Sequence, residues 1–292
     1  QGGITGLNVT QSSGLPGADA ATIKIRGISS LTTNSDPLVL VDGIPMDMNN
    51  LDPNTIESVT VLKDAAAAAI YGARAANGVI VVKTKRGTPG KVNVSYNGYF
   101  GIQKATYLPE FIDGAGYMEM LNAANTNIGG DSIYSQEEID NTRKGVDPVK
   151  YPDVDWADFL FKTGSVQSHS VSVSGGSNLA RFALTANYLK NEGLVEKANS
   201  DRINIRANTS VSLLDNLSVN MDFNSYRTNR QEPMYRDGAY TSSIISYMYS
   251  TPPNTVTRYP MKEGSDIVFY GNRPEQRNPA ALIDRGGQFK AL

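Results

Sequence analysis

The chain has 292 residues, with 27 basic and 29 acidic side chains, one histidine and no cysteine. The lack of cysteine excludes disulfide frameworks, thiolate metal sites and cysteine nucleophiles, and one histidine cannot form a histidine-rich metal centre. The net charge of −2 excludes the positive footprint of a nucleic-acid-binding protein, and no apolar run approaches the roughly 20 residues of a membrane helix.

The first 88 residues predict a compact α+β domain. Short β segments are predicted at residues 20–26, 37–41, 58–63 and 79–85. A turn at 42–45 closes the second segment, and residues 52–57 predict a capped helical turn. Residues 64–71 predict an alanine-rich helix with Asp64 as its N-cap, which we expect to pack closely against a sheet. Asn77-Gly78 is typical of a turn into the last segment.

Beyond residue 90 the pattern changes to long alternation of apolar and polar residues. Five such runs lie at residues 91–103, 165–174, 179–189, 202–213 and 217–224. Each has about the 9 to 11 residues with which a tilted strand crosses a bilayer. Turns at 174–178 and 214–216 are short, whereas the connections at 104–164 and beyond 230 are long, as in outer-membrane β-barrels. A soluble antiparallel sandwich with one solvated face fits the alternation alone equally well.

Several motifs resemble those of one known family, the SusC/RagA-like TonB-dependent outer-membrane transporters of Bacteroidota. In its plug domain the family has segments similar to Ile23-Lys24-Ile25-Arg26-Gly27, to Pro37-Leu38-Val39-Leu40-Val41-Asp42-Gly43-Ile44-Pro45 and to Ala69-Ile70-Tyr71-Gly72-Ala73-Arg74-Ala75-Ala76-Asn77-Gly78-Val79-Ile80. Its opening barrel strands resemble Ser170-Val171-Ser172-Val173-Ser174-Gly175-Gly176 and Tyr188-Leu189-Lys190-Asn191-Glu192-Gly193. The similarity runs in order from about residue 4 to residue 230.

The resemblance implies a fold and a domain organisation. Residues 1–88 are expected to form an α+β plug domain, and residues 89–292 the first five strands and extracellular loops of an antiparallel transmembrane β-barrel. Barrels of this kind have 22 strands around a plug, which five strands cannot close. The chain is therefore expected to be a piece of a longer one, since an open lipid-facing sheet would leave backbone groups unpaired in hydrocarbon.

The function implied by the resemblance is active import of a nutrient across the outer membrane. The expected cargo is an oligosaccharide or a peptide. The expected partners are a SusD-like surface lipoprotein, TonB through a segment upstream of this chain, outer-membrane lipid and a second copy in a dimeric assembly. The alternatives are a non-transporting adhesin or glycan-binding sandwich, and a transporter that also acts as a signalling receptor.

Candidate site residues follow from the same resemblance. The recognisable plug residues are Arg26, Gly27, Asp42, Gly43, Asn77 and Gly78. We expect Arg26 to pair with a carboxylate of the plug or wall, and the glycines to supply turns. The loops at 28–36 and 44–51 are expected at the outer face of the plug. Their candidate cargo contacts are Ser29, Ser30, Thr32, Asn34, Asp36, Met46, Asp47 and Asn49.

Other conspicuous residues have both structural and functional interpretations. Asp147, Asp153, Asp155 and Asp158 give an oxygen-rich loop, but their spacing lacks the calcium-loop pattern, so a solvated loop is expected. His169 is expected as a polar residue of the surface or lumen. The loop aromatics Trp156 and Tyr240 fit either sugar stacking or packing and interfacial roles.

The sequence contains no arrangement to which we assign chemistry. Residues 116–124, and the capping box Ser135-Gln136-Glu137-Glu138 with a helix ending near Gly145, predict two helices in the first long loop. There is no nucleophile–base–acid set and no phosphate-binding glycine loop. We therefore expect no enzyme activity, no cofactor and no metal.

Overall fold

The computed structural model describes residues 7–11, 13–25, 36–63, 69–232, 241–260, 270–271, 278–284 and 287–291. Several predicted features lie outside these residues. They are Arg26, Gly27, Ser29, Ser30, Thr32, Asn34, Tyr240 and residues 64–68 of the predicted helix.

The amino-terminal part forms two small sheets. β1 (Leu7–Gln11) and β2 (Ala21–Ile25) make an antiparallel hairpin. The four-stranded sheet consists of β3 (Leu38–Val41), β4 (Ile44–Pro45), β5 (Ile56–Leu62) and β6 (Val79–Thr84), in the order β4-β3-β6-β5. Only the pair β3 and β6 is parallel among these described strands. The predicted β segments are confirmed.

Where the first part is described, four 3₁₀ turns connect its strands. They are Met48–Asn50, Pro53–Thr55, Ala69–Tyr71 and Ala73–Ala75. The carboxylate of Asp52 caps the second turn by accepting a hydrogen bond from the Asn54 N–H, which confirms the predicted capped turn. The described end of the predicted alanine-rich helix is a 3₁₀ turn.

The apolar core of this part lies between the hairpin and the four-stranded sheet. Its buried residues are Ile25, Val41, Leu51, Ile80 and Val82. β6 lies between β3 and β5 in the sheet, and its run of apolar residues suits a strand that is covered on both faces. Gly78 precedes it with φ +92°, and a Cβ there would lie 2.8 Å from Ile25 Cδ1, so both conformation and packing require glycine.

The second part is an antiparallel sheet, here called the wall. Its strands follow chain order: β7 (Gly90–Gln103), β8 (Gly164–Gly176), β9 (Ala180–Glu192), β10 (Asn199–Leu214), β11 (Leu217–Glu232) and β12 (Gly287–Ala291). The predicted domain boundary after residue 88 falls between β6 and β7 and stays a prediction. Among the described helices, none combines the length and the apolar character needed to span a membrane.

The number and length of the predicted strands need correction. The wall has a sixth strand, β12, which pairs with the end of β11 through residues 228–232. Phe289 is the only strongly apolar residue among its five, so the alternation is weak in the sequence. β11 also continues to Glu232, eight residues beyond the predicted end at 224. Polar residues occupy both faces of this last stretch, so the alternation that marks a strand is lost there.

The two faces of the wall differ in polarity. Buried polar side chains lie on the face that contacts the first part, among them Ser168, Ser170, Thr185, Asn187, Asn204 and Asn208. The opposite face is apolar and exposed, with Val94, Phe100, Val171, Leu184, Ile205 and Phe223. This two-residue period is that of a membrane barrel, in which lipid-facing and interior positions alternate.

The long connections at one end of the wall fold into a helical cluster, called here the outer-loop cluster. Its helices are α1 (Gly114–Asn127), α2 (Gln136–Lys144), α3 (Trp156–Leu160), α4 (Thr241–Ser250) and α5 (Pro279–Asp284). The capping box between Ser135 and Glu138 is confirmed, and Gly145 ends α2 in the left-handed conformation.

Candidate functional site

The main contact between the first part and the wall is a buried ion pair. Arg206 of β10 donates from Nη2 to Asp42 Oδ2 at 2.5 Å. The two side chains are only 6% and 5% exposed. Asp42 follows β3 with φ 51°, a left-handed conformation that aspartate tolerates better than most residues. Gly43 completes that turn with φ +89°.

The Asp42 carboxylate is saturated by donors from its own sheet as well. Its Oδ1 accepts from the Thr84 N–H at 3.0 Å, and its Oδ2 accepts from the Thr84 hydroxyl at 2.6 Å. Burial alone raises the pKa of Asp42, but these Thr84 hydrogen bonds and then the charges of Arg206 and Arg86 outweigh it. The pKa of Asp42 therefore lies below its ordinary value, and the group is charged at neutral pH.

Two further residues of β10 contact the first part. Asn208 donates from Nδ2 to the Thr84 hydroxyl at 2.8 Å and to the Lys85 carbonyl at 3.0 Å. Arg202 donates to the Asn49 carbonyl at 2.9 Å. With Arg206, these residues lie at even positions of one strand and so share its inner face. β10 is therefore the strand on which the first part is docked.

The neighbouring wall strands add weaker contacts. Arg86 pairs with Asp222 of β11 at 2.8 Å. Asn97 of β7 donates to Asn54 Oδ1 at 3.0 Å. Both pairs involve exposed side chains, so each contributes less than the buried pair at Asp42.

The segment that links the first part to the wall lies very close to the backbone of β9. A Cβ on Gly87 would lie 2.3 Å from the Phe182 carbonyl oxygen and 2.5 Å from its nitrogen. These are backbone atoms of β9, which cannot move aside without breaking strand pairing. Glycine is therefore required where the chain passes from the plug to the wall.

Four of the candidate cargo contacts line one open cavity of about 530 Å³. They are Asp36, Met46, Asp47 and Asn49, and Arg74 also lines it. Asp47 Oδ1 accepts from the N–H and the side-chain amide of Asn49 and so caps the first 3₁₀ turn. The structure thus brings these four predicted residues together, while their contact with cargo stays a prediction.

Two other predicted residues, Asn77 and Gly78, shape the turn before β6. Asn77 donates from Nδ2 to the carbonyl of Asp36, which lines that cavity, at 3.5 Å. Its neighbour Gly78 supplies the turn described above.

Trp156 lies in the apolar core of the outer-loop cluster and is 2% exposed. Its indole N–H donates to the Pro252 carbonyl at 3.1 Å, and Phe159 packs edge-on against its ring. This core also contains Leu160, Val195, Ile244 and Ile283, with Leu15 of the β1–β2 connection packed against it. The indole therefore packs inside the cluster and leaves no face open for a sugar.

The acidic residues of the first long loop act as acceptors for backbone N–H groups. Asp155 caps α3, Asp147 accepts from the Val149 and Lys150 N–H groups, and Asp153 accepts from the Gly114 N–H at 2.7 Å. Among the residues that the structure describes, no three metal-ligating side chains come together. These carboxylates therefore order the loop.

An ion pair closes the other side of the outer-loop cluster. Arg258 binds both oxygens of Asp284 at 2.8 Å, and the Tyr270 hydroxyl donates to Asp284 Oδ2. The Arg258 hydrogen bonds lower the pKa of Asp284, and the Tyr270 bond adds to them, against the opposing effect of burial. Lys197 of the β9–β10 connection donates to the Asp284 carbonyl at 2.9 Å. This network ties a wall turn to the cluster.

His169 lies on the outer face of the wall, which resolves its predicted position as surface rather than lumen. Its Nδ1 forms a 2.7 Å hydrogen bond with the Tyr96 hydroxyl. The Tyr96 ring extends across Gly98, where a Cβ would lie 2.5 Å from Tyr96 Oη. The tyrosine thus supplies a partner to a polar group on an otherwise apolar face.

Sequence reasoning did not single out Arg202, Arg206, Asn208 or Thr84. The first three belong to an inner face on which Asn, Ser and Arg alternate regularly, so no local feature separates them from their neighbours. The turn at Asp42-Gly43 did offer a signal. An aspartate that becomes buried needs a cationic or hydrogen-bonding partner, which the arginines of the inner face can supply.

Comparison with known proteins identifies the two parts. The family model of the TonB-dependent receptor plug domain matches residues 1–79. The chain is 32% identical over 277 residues to TonB-dependent receptor P26 of Formosa agariphila, covering 86% of this chain and 27% of that protein. It is 34% identical over 233 residues to TonB-dependent receptor SusC of Bacteroides thetaiotaomicron, covering 76% and 22%.

Solved structures have the same fold. The RagAB peptide importer in its closed-closed state superposes with a TM-score of 0.71 at 26% identity, covering 93% of this chain and 34% of that one. The chain spans about a quarter of the length of the curated relatives it matches. The chain therefore belongs to the SusC/RagA-like TonB-dependent receptors of the outer membrane, of which it carries the plug domain and the adjoining barrel strands.

Proposed function

We propose that the chain is part of a TonB-dependent importer that carries a nutrient across the outer membrane. The observation that carries the proposal is the polar attachment of the plug to the wall. The plug has its own apolar core around Val41 and Ile80, whereas β10 holds it through Arg202, Arg206 and Asn208. These contacts with β10 are polar, whereas the apolar core lies within the plug, so breaking the contacts with β10 does not by itself expose that core.

The cargo is proposed to be an oligosaccharide or a peptide that meets the plug at the cavity lined by Asp36, Met46, Asp47 and Asn49. Carboxylates, an amide and a thioether offer both hydrogen-bond acceptors and apolar contact. Among the relatives, RagAB is described as a peptide importer. The outer-loop cluster presents further aromatic surface, with Tyr107 and Tyr249 exposed.

The proposed partners follow the family. A SusD-like lipoprotein covers the outer-loop cluster, TonB pulls on a segment upstream of this chain, and the apolar outer face of the wall contacts lipid. A dimeric assembly is also proposed. The importer itself performs no catalysis and binds no cofactor.

Uptake by living cells tests this proposal. A strain lacking the full-length protein would be offered isotope-labelled tryptic peptides and malto-oligosaccharides, and depletion of each from the medium would be measured. We expect the deletion to abolish uptake of one class, and a protonophore to have the same effect on the parent strain. Surface binding without uptake, insensitive to the protonophore, would instead favour an adhesin.

A further inference from the structure

Asn49 connects three parts of the molecule. Its side-chain Oδ1 accepts from the Ala21 N–H at 2.9 Å, and its Nδ2 donates to the Ala21 carbonyl at 3.3 Å. Its own carbonyl accepts from Arg202 of the wall. The hairpin β1–β2, the four-stranded sheet and β10 therefore meet at one residue.

The side-chain amide of Asn49 extends the hydrogen bonding at the end of the hairpin. It pairs with both backbone groups of Ala21, the first residue of β2, much as a neighbouring strand would. The hairpin is a separate two-stranded sheet, and a sheet of that size is marginal by itself. Its attachment to the rest of the plug thus depends on this amide in addition to the apolar core.

Cavities lie on both sides of this junction. One is the open cavity of about 530 Å³ that Asp36 and Met46 also line. The other, of about 500 Å³, lies between the plug and the wall, where Leu189, Asn191 and Arg202 line it. Six residues line both cavities and form their shared boundary: Ala20, Ala21, Ile23, Asp47, Met48 and Asn49. The paired hydrogen bonds between Ala21 and Asn49 belong to this boundary.

The junction is weaker than the attachment at Asp42. The bonds between Asn49 and Ala21 are neutral and only partly buried, whereas Asp42 and Arg206 form a buried, charge-assisted pair. Charge-assisted hydrogen bonds are roughly twice as strong as neutral ones. A force on the hairpin is therefore expected to break its bonds to Asn49 while the four-stranded sheet stays on β10, with the apolar packing of Ile23 and Ile25 resisting the movement.

We propose that Asn49 is a positioning residue that closes a passage along the hairpin, between the plug and the wall, and that its release from Ala21 joins the two cavities. The inference rests on the proposed import function, since it assigns the point at which the plug opens. Arg202 holds the Asn49 backbone on the wall during this opening, so the moving element is the hairpin.

Ion conductance tests the proposal without any knowledge of the cargo. Full-length protein would be reconstituted in planar bilayers in KCl, and the frequency of channel openings recorded. Asn49→Ala loses both bonds to Ala21 and is expected to open about tenfold or more often than wild type. The matched control is Asn54→Ala in the next 3₁₀ turn, because in the described structure the Asn54 side chain bonds Asp52 and Asn97 and makes no hydrogen bond to the hairpin.

A cross-link gives the reverse test. Ala21→Cys with Asn49→Cys, joined by a short reducible cross-linker, is expected to suppress openings, with recovery on reduction. The control pair Thr60→Cys and Val81→Cys lies within the four-stranded sheet and should leave openings unchanged. A gel-mobility shift on heating would show that each variant is folded.

Two results would overturn the proposal. One is that Asn49→Ala opens no more often than Asn54→Ala. The other is that both cross-linked pairs suppress openings equally, because any stiffening of the plug would then have the same effect. Since conductance requires neither cargo nor TonB, a failure of the import proposal would appear only in the uptake experiment.

Discussion

Arg206 of the wall and Asp42 of the plug form a 2.5 Å ion pair between residues 164 positions apart in the sequence. Burying two charges is costly unless their remaining donors and acceptors are satisfied. Thr84 supplies the missing partners for the carboxylate through its N–H and its hydroxyl. The carboxylate of the pair is therefore fully bonded, while Arg206 Nε is buried without a hydrogen-bond partner in the described structure.

Replacing Asp42 by Asn tests the importance of this pair. The change keeps the shape of the side chain but leaves the Arg206 charge buried without a counter-ion. We expect a loss of about 3–5 kcal/mol in the free energy of unfolding of the full-length protein. Asp222→Asn, which disrupts the more exposed pair with Arg86, should cost less than about 1 kcal/mol. Equal effects in urea titrations of the two variants would contradict the account.

Acid should open the outer-loop cluster at a defined pH. The pKa of Asp284 is below its ordinary value, chiefly because Arg258 binds it. A depressed folded-state pKa contributes stability above the unfolded value, near pH 4, and this is lost as the pH falls through the folded pKa. Hydroxyl-radical labelling of buried Trp156 should therefore stay constant from pH 8 to 5 and rise below about pH 4.

The matched variant for the acid experiment is Asp284→Asn. It should label more strongly than wild type at pH 7, with the difference shrinking as the pH falls. An onset of labelling above pH 5 in the wild type would argue against the role of this carboxylate.

Gly87→Ala should prevent correct attachment of the plug. The added Cβ would meet backbone atoms of Phe182 on β9, which cannot yield locally. We expect a severe loss of folded protein in the outer membrane, measured by the heat-dependent shift in gel mobility. Gly14→Ala, where a Cβ meets nothing within 4 Å, should be close to neutral. A normal yield of Gly87→Ala would show that the chain at residue 87 does not lie this close to the backbone of Phe182.

Tyr96→Phe should destabilise the wall from its outer face. The change removes the hydroxyl that binds His169 Nδ1 and leaves a polar atom facing an apolar environment. A loss of about 1–3 kcal/mol is expected in the unfolding free energy. Tyr99→Phe, on the inner face of the same strand, is the control and should have a smaller effect. If Tyr99→Phe costs more, the assignment of faces is wrong.

Much of the fold was predictable because it repeats locally. Alternation identified the five long strands, and Ser135 with Glu138 identified α2 through its capping box. β12 was missed because Phe289 is its only strongly apolar residue, which leaves the alternation weak. Asp155 was expected to be a residue of a solvated loop, whereas it caps α3. An aspartate directly before an apolar run is itself an N-cap signal.

The plug–wall site was less predictable than the fold. Asp42 was read as a turn residue, and its partner Arg206 lies within a uniform polar face. The residues around Asp42 do not indicate Arg206 as its partner, and those around Arg206 do not indicate Asp42. The contact forms only when two separate sheets pack together. Asp36, Met46, Asp47 and Asn49 belong to the two loops that were expected at the outer face of the plug, and they line one cavity.

The extraction behaviour of the natural protein tests the central claim, that the wall lies in the outer membrane around a docked plug. Outer membranes would be isolated, washed with salt and alkali, and extracted with detergent, and this sequence followed by mass spectrometry. We predict that it is released only by detergent, in a species whose gel mobility shifts on heating. Recovery of a stable 31.5 kDa species without detergent would contradict the account.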